Sequence, residues 1–258
     1  MEKELKEIFD KYDESYKKLG DLLKNEKGKS GMPKGLVKFN LRIRLAIGIQ
    51  ISYDTSIARA KEPIVRETYE LLIRLMENWN AFDVLCKYAK AQDKIIKVDS
   101  ERYTIPEKSP YRSYNPFNDK VLKDAGCIPF WQYEMDCLKT KCAENEKFRA
   151  KFKEILTRYE KNAKDANGKK LQECCAELIQ CFFEGKDVLA SELLGFIYAT
   201  RNSYYHSGEL AGEEFSYSDR RKMLKSLIPC FQKHILLLAS YIITKEINIK
   251  QCSYANLQ

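Results

Sequence analysis

The residues best suited to chemistry lie together in one short stretch, Arg201-Asn202-Ser203-Tyr204-Tyr205-His206. His206 is one of only two histidines in the chain. Histidine is the side chain best suited to proton transfer at neutral pH, and arginine is the best fixed cation for a phosphate. Their pairing in one segment predicts chemistry on a phosphate ester.

This segment is expected to end a helix. Asn202 and His206 are four positions apart, so on a helix they share a face, and the amide can orient the imidazole and select the nitrogen that carries the proton. Arg201 and Tyr205 form the neighbouring face. Gly208 suits a helix C-cap and would place His206 in the last turn, where the negative end of the helix dipole favours the imidazolium.

The same residues resemble the motif of the HEPN (higher eukaryotes and prokaryotes nucleotide-binding) family. That motif is an arginine, usually followed by asparagine or another polar residue, and then a histidine after four to six intervening residues. Four residues separate Arg201 from His206 here. The resemblance covers about residues 62 to 248, with an apolar helix before the motif and a long helix after it, and leaves the first sixty residues outside.

The resemblance implies a helical bundle that dimerises with the motifs of two subunits facing each other. It also implies metal-independent endoribonuclease activity, which many members have, with RNA as substrate and without a cofactor. Arg201 and His206 match the catalytic pair, and Asn202 matches the supporting polar position. The implied class is a toxin, antiviral defence or stress effector, with an antitoxin or regulatory protein as a further partner. Some toxin members carry a tyrosine, modified by a partner enzyme, where this chain has Gly208, so control by that route is not expected.

The chemistry of such cleavage can be stated for this chain. Attack by the 2′-hydroxyl needs a base for that hydroxyl, an acid for the leaving 5′-oxygen and a cation for the charged phosphorane. A homodimer formed through residues 201–206 supplies His206 and Arg201 twice. We therefore expect a 2′,3′-cyclic phosphate product, no need for a metal and no cleavage of DNA. Tyr205 and Ser207 are the expected substrate contacts beside the catalytic residues.

Other functions for the motif stay open at this point. A non-catalytic HEPN-like module would use the same region to bind a nucleotide or RNA, or to dimerise. A purely structural motif would pair its arginine with carbonyls or a carboxylate and close the helix with its histidine. Metal-assisted hydrolysis is disfavoured, because Glu209, Glu213 and Glu214 lack the spacing typical of a two-metal site.

The composition predicts a globular cytoplasmic protein without a membrane partner. Its 258 residues, 44% hydrophobic and 32% charged, suffice for one large domain or two small ones. The net charge of +8 favours polyanionic partners. No uninterrupted apolar run approaches the roughly 20 residues of a membrane span, and the charged beginning of the chain lacks the apolar core of a signal peptide.

The nine cysteines are interpreted as buried free thiols in a reducing cytosol. They are odd in number and irregularly spaced, without a Cys-x-x-Cys, which argues against a disulfide framework. Cys127, Cys137 and Cys142 are close in sequence but fit no zinc pattern, so no metal site is predicted. His234 has apolar neighbours and is interpreted as a core or interface histidine.

Most of the chain shows the three-and-four spacing of amphipathic helices. Trp79 is the expected core anchor of a long helix that begins at Pro63. Other predicted helices cover residues 1–25, about 144–164, a segment through Cys174-Cys175 that ends near Gly185, a segment from an N-cap at Asp187 into the motif, and a last helix from Ser218 or Asp219 to about Ile247. A short helical or irregular stretch through Trp131 is predicted before the helix at about 144–164.

Two segments depart from this pattern. Residues 37–51 alternate apolar and polar side chains, which taken alone predicts a strand, although alternation also places residues four apart and keeps a helix as the alternative. Their cations, Lys38, Arg42 and Arg44, either bind phosphates or form a solvated face. Residues 99–118 are predicted to form a proline-rich loop.

The aromatic and basic residues of the 99–118 loop, Arg112 and Tyr114 among them, give it a second interpretation. Such interleaved side chains can stack bases and neutralise phosphates, so Arg112 and Tyr114 are candidate substrate-binding residues. A plain surface loop is the alternative. The sequence as a whole predicts an all-α fold, a HEPN-type helical bundle at 61–258 preceded by an extension at 1–60 that holds the segment at 37–51.

Overall fold

The computed structural model describes residues 2–24, 31–52, 62–95, 103–104, 115–162, 168–188, 190–207 and 216–255. Over these residues the chain forms α-helices and no strand, which confirms the predicted all-α class. The helices are α1 (Glu2–Lys24), α2 (Lys34–Gly48), α3 (Pro63–Ile95), α4 (Asp119–Asp124), α5 (Cys127–Glu144), α6 (Glu146–Asn162), α7 (Gly168–Glu184), α8 (Ala190–Ser207) and α9 (Tyr217–Ala255).

These helices belong to two compact units. The first unit consists of Met1–Thr104, Asp119–Ala125 and Ala211–Gln258, and the second of Ile105–Asn118 and Gly126–Leu210. The first unit therefore contains α1 to α4 and α9, and the second contains α5 to α8. The predicted extension at 1–60 contributes α1 and α2 to the first unit, and the assignment of 61–258 to a HEPN-like domain stays a prediction.

The first unit is built around α3 and α9. Helix α2 packs on α3, while α1 and α4 pack on α9. Where α3 meets α9, the Phe231 ring lies 5.6 Å from that of Trp79 and 5.4 Å from that of Phe82, measured between centroids. Trp79 is 7% exposed and Phe231 is fully buried, which confirms Trp79 as a core anchor.

The strand interpretation of residues 37–51 is wrong, because Lys34–Gly48 form helix α2. This helix turns Phe39 and Ile43 into the core, whereas Leu41 is 63% exposed and Leu45 is 46% exposed. Every second residue of a strand lies on one face, but on a helix the same residues divide between two faces. Of the six alternating apolar residues on α2, only Phe39 and Ile43 are therefore buried.

The arginines of α2 pair with groups of the same unit. Nη1 of Arg42 lies 2.7 Å from Oε2 of Glu77 on α3. Arg44 forms an ion pair with Asp13 on α1 and donates from Nε to Oδ1 of Asn40 at 3.0 Å. These contacts support the interpretation of Arg42 and Arg44 as a solvated structural face.

Helix α9 begins where predicted and extends past Ile247, to Ala255. Its stretch Tyr217–Cys252 is long and apolar enough to cross a membrane by length and composition, with a mean hydropathy of 1.4 over 18 residues. Two thirds of that window (67%) is buried inside the structure, as in the core helix of a globular protein. The apolar character of α9 is thus used in packing against α1 and α3.

A buried polar contact joins α3 to α9. The hydroxyl of Tyr88 donates to Oε1 of Glu246, and both residues are less than 9% exposed. Gly35 allows α2 to approach this place, since a Cβ there would lie 2.7 Å from the Tyr88 ring. Burial raises the pKa of Glu246, and the hydrogen bond from Tyr88 and the charge of Lys250 offset only part of that rise.

The raised pKa of Glu246 predicts how stability depends on pH. The folded pKa lies above the ordinary value of 4.5, so the folded protein favours the protonated carboxyl. The stabilisation that this protonated group contributes is fully present below pH 4.5 and is lost as pH rises through the folded pKa. Glu246→Gln keeps an acceptor for the Tyr88 hydroxyl but does not titrate. Between about pH 4.5 and about pH 8, we expect its Tm to fall less than the Tm of wild type. Thermal unfolding followed by circular dichroism measures this, with the exposed Glu14→Gln as control. Equal slopes for wild type and Glu246→Gln would contradict the prediction.

The second unit is a closed arrangement of four helices. Helix α6 packs on α5 and α7, and α8 packs on α7 and α5. Phe152 of α6 lies at the centre, with its ring 5.0 Å from that of Phe182 on α7 and 6.1 Å from that of Phe196 on α8. Three helices thus share one aromatic cluster, which holds α6 and α8 against α7.

The boundaries of the second unit's helices correct two expectations. Helix α5 was predicted only as a helical or irregular stretch, and it begins after Gly126, whose φ of 79° favours glycine. Asp187 is not an N-cap, since α8 begins at Ala190. The carboxylate of Asp187 lies 3.7 Å from Nζ of Lys139. The predicted end of α7 is confirmed, because α7 stops at Glu184 and Gly185 has a φ of 75°.

All nine cysteines are free thiols. Cys174 and Cys175 are buried core residues, as predicted, and burial raises the pKa of Cys175 to about 12. Cys137 and Cys252 are exposed, so the expectation of buried thiols fails at these two positions. The buried thiols are uncharged packing groups.

Candidate functional site

Helix α8 carries the motif at the point where it leaves the core of the second unit. Its residues from 193 to 200 are buried, apart from the half-buried Tyr198, and Thr200 is fully buried. The Thr200 hydroxyl donates to the carbonyl oxygen of Phe196 at 2.9 Å. Directly after it, Arg201 and Asn202 are half-buried. The packed part of α8 therefore positions the motif, which begins at the edge of the core.

Arg201 and Asn202 are joined by a hydrogen bond. Nη1 of Arg201 donates to Oδ1 of Asn202 at 2.8 Å. Nδ2 of Asn202 is also shielded from solvent, and among the described residues none accepts a hydrogen bond from it. The Asn202 side chain thus holds the guanidinium through its oxygen and keeps its amide hydrogens for another group.

His206 lies in the last turn of α8, as predicted. The helix ends at Ser207, so Tyr205, His206 and Ser207 occupy the turn that carries the negative end of the helix dipole. Asn202 and His206 are four positions apart on one continuous helix and therefore share a face. The side chains of residues 205–207 lie outside the described part of the structure.

The remaining candidates of the motif region fall outside the described residues. Arg112 and Tyr114, the predicted substrate-binding residues of the loop, are among them. So are Gly208, the predicted C-cap, and the three glutamates considered for a metal site, Glu209, Glu213 and Glu214. Over the described ranges, no three His, Cys, Asp or Glu side chains are grouped closely enough to hold a metal ion.

His234, the second histidine, is sealed in the first unit. It is fully buried and its ring lies 5.9 Å from that of Phe82. Burial lowers its pKa to about 3, so it is neutral at physiological pH. Its interpretation as a core histidine is confirmed. A fully buried ring cannot exchange protons with a substrate, so imidazole chemistry in this chain depends on His206.

Helix α6 carries a cationic surface that was not predicted from the sequence, where only the apolar face of this helix was recognised. Lys153, Arg158 and Lys161 line a shallow groove of about 580 Å³ along this helix. The signal that could have found it is the recurrence of these cations along one helical face, opposite the buried Phe152 and Leu156. Charged residues on helices are so often a plain solvated surface that the pattern alone does not indicate a site.

Comparisons of the chain with protein-family models, with curated proteins and with solved structures each found no match. The resemblance to HEPN proteins is therefore carried by the motif at 201–206 and stays a prediction.

Proposed function

We propose that the chain is a metal-independent endoribonuclease of HEPN type that cleaves RNA at a site composed from two copies of residues 201–206. The observation that supports it is the hydrogen bond between Arg201 and Asn202, one helical turn before His206 and at the edge of the core. A guanidinium held by a neighbouring amide is oriented before substrate arrives. That arrangement suits a group that must meet a phosphate in one geometry.

In this proposal the reaction is a transfer of phosphorus between two oxygens of the RNA. One His206 takes the proton of a 2′-hydroxyl, whose oxygen bonds to the adjacent phosphorus. The bond from phosphorus to the 5′-oxygen breaks, and that oxygen takes a proton from His206 of the partner subunit. Arg201 stabilises the negative charge of the phosphorane. The products are a 2′,3′-cyclic phosphate and a 5′-hydroxyl.

Asn202 is proposed as the positioning residue. Its oxygen holds the Arg201 guanidinium on the face of α8 that carries His206, one turn ahead. The imidazole then keeps an unprotonated nitrogen for the 2′-hydroxyl. Asn202 would thus connect the cation to the proton-transfer group.

The need for two copies follows from the histidine count. The chain has two histidines, and His234 is sealed in a core. One chain therefore offers one imidazole, whereas the reaction needs a base and an acid at once. A two-fold dimer through 201–206 doubles both His206 and Arg201. Cleavage of RNA in the cytoplasm would make this protein a defence or stress effector, and a regulatory protein would restrain its activity.

A non-catalytic module that binds RNA or a nucleotide is the second candidate, and the same histidine count favours it. A single chain with Arg201 held by Asn202 can bind a phosphate but lacks a second group for proton transfer. If the chain does not dimerise through its motif, binding without cleavage is the expected behaviour.

The test incubates a mixed RNA pool in EDTA with wild type, Asn202→Ala and Ser203→Ala. Wild type is expected to cleave and leave 2′,3′-cyclic phosphate ends. Asn202→Ala is expected to be about tenfold slower, the effect of one lost hydrogen bond of ~1.4 kcal/mol. Ser203→Ala, a half-buried neighbour on another face of α8, is the matched control and should cleave like wild type. RNA that is bound but left intact by wild type would favour the binding module.

A further inference from the structure

The second unit carries a continuous groove along α6, which we call the α6 groove. One part, of about 580 Å³, lies along α6 itself and includes Lys153, Arg158 and Lys161. The other part, of about 500 Å³, lies between α6 and α7 and includes Arg149 and Phe183. Ala150 and Lys153 line both parts, so the two form one surface.

The α6 groove presents positive charge because its carboxylates are neutralised from outside. Glu154 lies 3.1 Å from Nζ of Lys151, and Glu184 lies 3.2 Å from Nζ of Lys186, and neither lysine lines the groove. Within the described ranges, no carboxylate is within ion-pair distance of Lys153 or Lys161, both of which are exposed. Among the lining residues that the structure describes, the cations therefore outweigh the acids, with Glu146 as the remaining carboxylate.

An aromatic ring lies among these cations. The half-buried Phe183 ring has the guanidinium of Arg149 at 5.4 Å and Nζ of Lys153 at 5.6 Å from its centroid. A ring flanked by two cations combines a face on which a base can stack with charges that meet the phosphates on either side. Surfaces of this composition bind single-stranded nucleic acid with little sequence preference.

The α6 groove and the motif belong to the same unit. The first half of α6 contacts the end of α7, through Arg149 and Phe183, so α6 and α7 are antiparallel. Helix α8 packs beside both helices. Its Glu192 lies against Cys174 and Cys181 of α7, and its Phe196 ring lies 6.1 Å from that of Phe152 on α6.

We propose that the α6 groove binds single-stranded RNA and delivers it to residues 201–206. From Arg149 to Lys161 the track is ~18 Å long at 1.5 Å per residue, enough for about five stacked nucleotides. The groove contacts phosphates and base faces, and it does not read the 2′-hydroxyl. Single-stranded DNA of the same length therefore binds it too and competes with RNA. This inference rests on the proposed function, since it names the form of RNA that the motif receives.

The test measures fluorescence anisotropy of a labelled oligouridine of about ten nucleotides with full-length protein carrying His206→Ala, which prevents cleavage during binding. In that background, Lys153→Glu with Arg158→Glu is expected to weaken binding at least tenfold. The slope of log affinity against log salt should fall by about 1.4, the value for two lost contacts to a single strand. Phe183→Ala is expected to weaken binding roughly 5- to 100-fold.

A matched control separates the groove from overall charge. Lys18→Glu with Lys222→Glu changes the net charge equally at two exposed sites of the first unit and should leave affinity within about threefold of the parent. Equal losses in the groove and control variants would overturn the proposal, as would tighter binding of duplex RNA than of the single strand. Circular dichroism verifies that each variant is folded.

Failure of this inference and failure of the proposed function give different results. Suppose that wild type cleaves RNA and that the variant with Lys153→Glu and Arg158→Glu has the KM of wild type. The proposed function is then supported, and RNA binding by the α6 groove is contradicted. If oligouridine binding depends on the groove but wild type cuts no RNA, the groove is a binding surface and the nuclease proposal is wrong. A raised KM with unchanged kcat supports both.

Discussion

His206→Ala is expected to reduce RNA cleavage by at least about 10³-fold while RNA binding persists. Each proton transfer by a positioned side chain contributes about 10²- to 10⁴-fold, and in a two-fold site this substitution removes the base and the acid together. Binding persists because Arg201 and the cations of the second unit are unchanged. The measurement is the initial rate on a labelled RNA in EDTA, beside anisotropy with the same RNA.

The same variant also tests whether the site is composed from two copies. When wild type is mixed and re-equilibrated with an equal amount of His206→Ala, random pairing leaves only about half of the original activity in dimers that carry both imidazoles. Independent chains would keep all of it. Activity that does not fall on mixing would contradict the composite site.

A substrate control accompanies the His206 experiment. RNA with a single 2′-deoxy nucleotide at the cleaved position lacks the attacking oxygen and should resist wild type, while it binds as the unmodified RNA does. Cleavage at that deoxy position would require an external water as nucleophile. That result would exclude the attack by the 2′-hydroxyl that is proposed for His206, and would favour hydrolysis by water.

Phe231→Ala is expected to destabilise the first unit by about 3–5 kcal/mol, the usual cost of truncating a buried aromatic side chain to alanine. Phe231 is fully buried, and its ring packs against those of both Trp79 and Phe82 where α3 meets α9. The truncation removes both contacts and leaves a cavity between the two central helices. Since domains are stable by only about 5–15 kcal/mol, this is the largest stability effect we expect from one substitution.

Two measurements locate the effect of Phe231→Ala. Urea unfolding gives the change in free energy, and hydrogen exchange followed by mass spectrometry shows which helices lose protection. We expect the loss in α3 and α9, and wild-type protection in α6 and α7. Tyr133→Ala, which truncates an aromatic residue of α5 that is 64% exposed, is the matched control and should change stability little. Similar losses for both variants would contradict the assigned core.

The spacing of residues that are close in sequence was sufficient to predict much of the fold. Apolar residues at three-and-four spacing predicted α1, the start of α3 at Pro63 and the end of α7 at Gly185, because each helix must bury one continuous stripe and close its ends with suitable residues. The same reasoning placed His206 in the last turn of α8, since Gly208 follows directly after the helix. These features depend on neighbours in sequence, which the chain itself displays.

Features that depend on partners distant in sequence were beyond such reasoning. On α2, alternation did not say which of the apolar residues would be buried, and packing on α3 selected Phe39 and Ile43. Arg42 was a candidate phosphate ligand until Glu77, 35 residues away, was found beside it. The sequence left α5 open between a helix and an irregular segment, because its apolar residues are spread around the helix and only one narrow side is buried.

The sequence by itself determined the helical class, the motif with its Arg201 and His206, and the position of that motif at a helix end. Only the tertiary structure decided that His234 is sealed away, that Arg201 is held by Asn202, and that the cations of α6 line a groove. The physical reason is that helix formation follows from short-range periodicity. Burial, the pairing of charges and the convergence of side chains depend instead on which helices pack together.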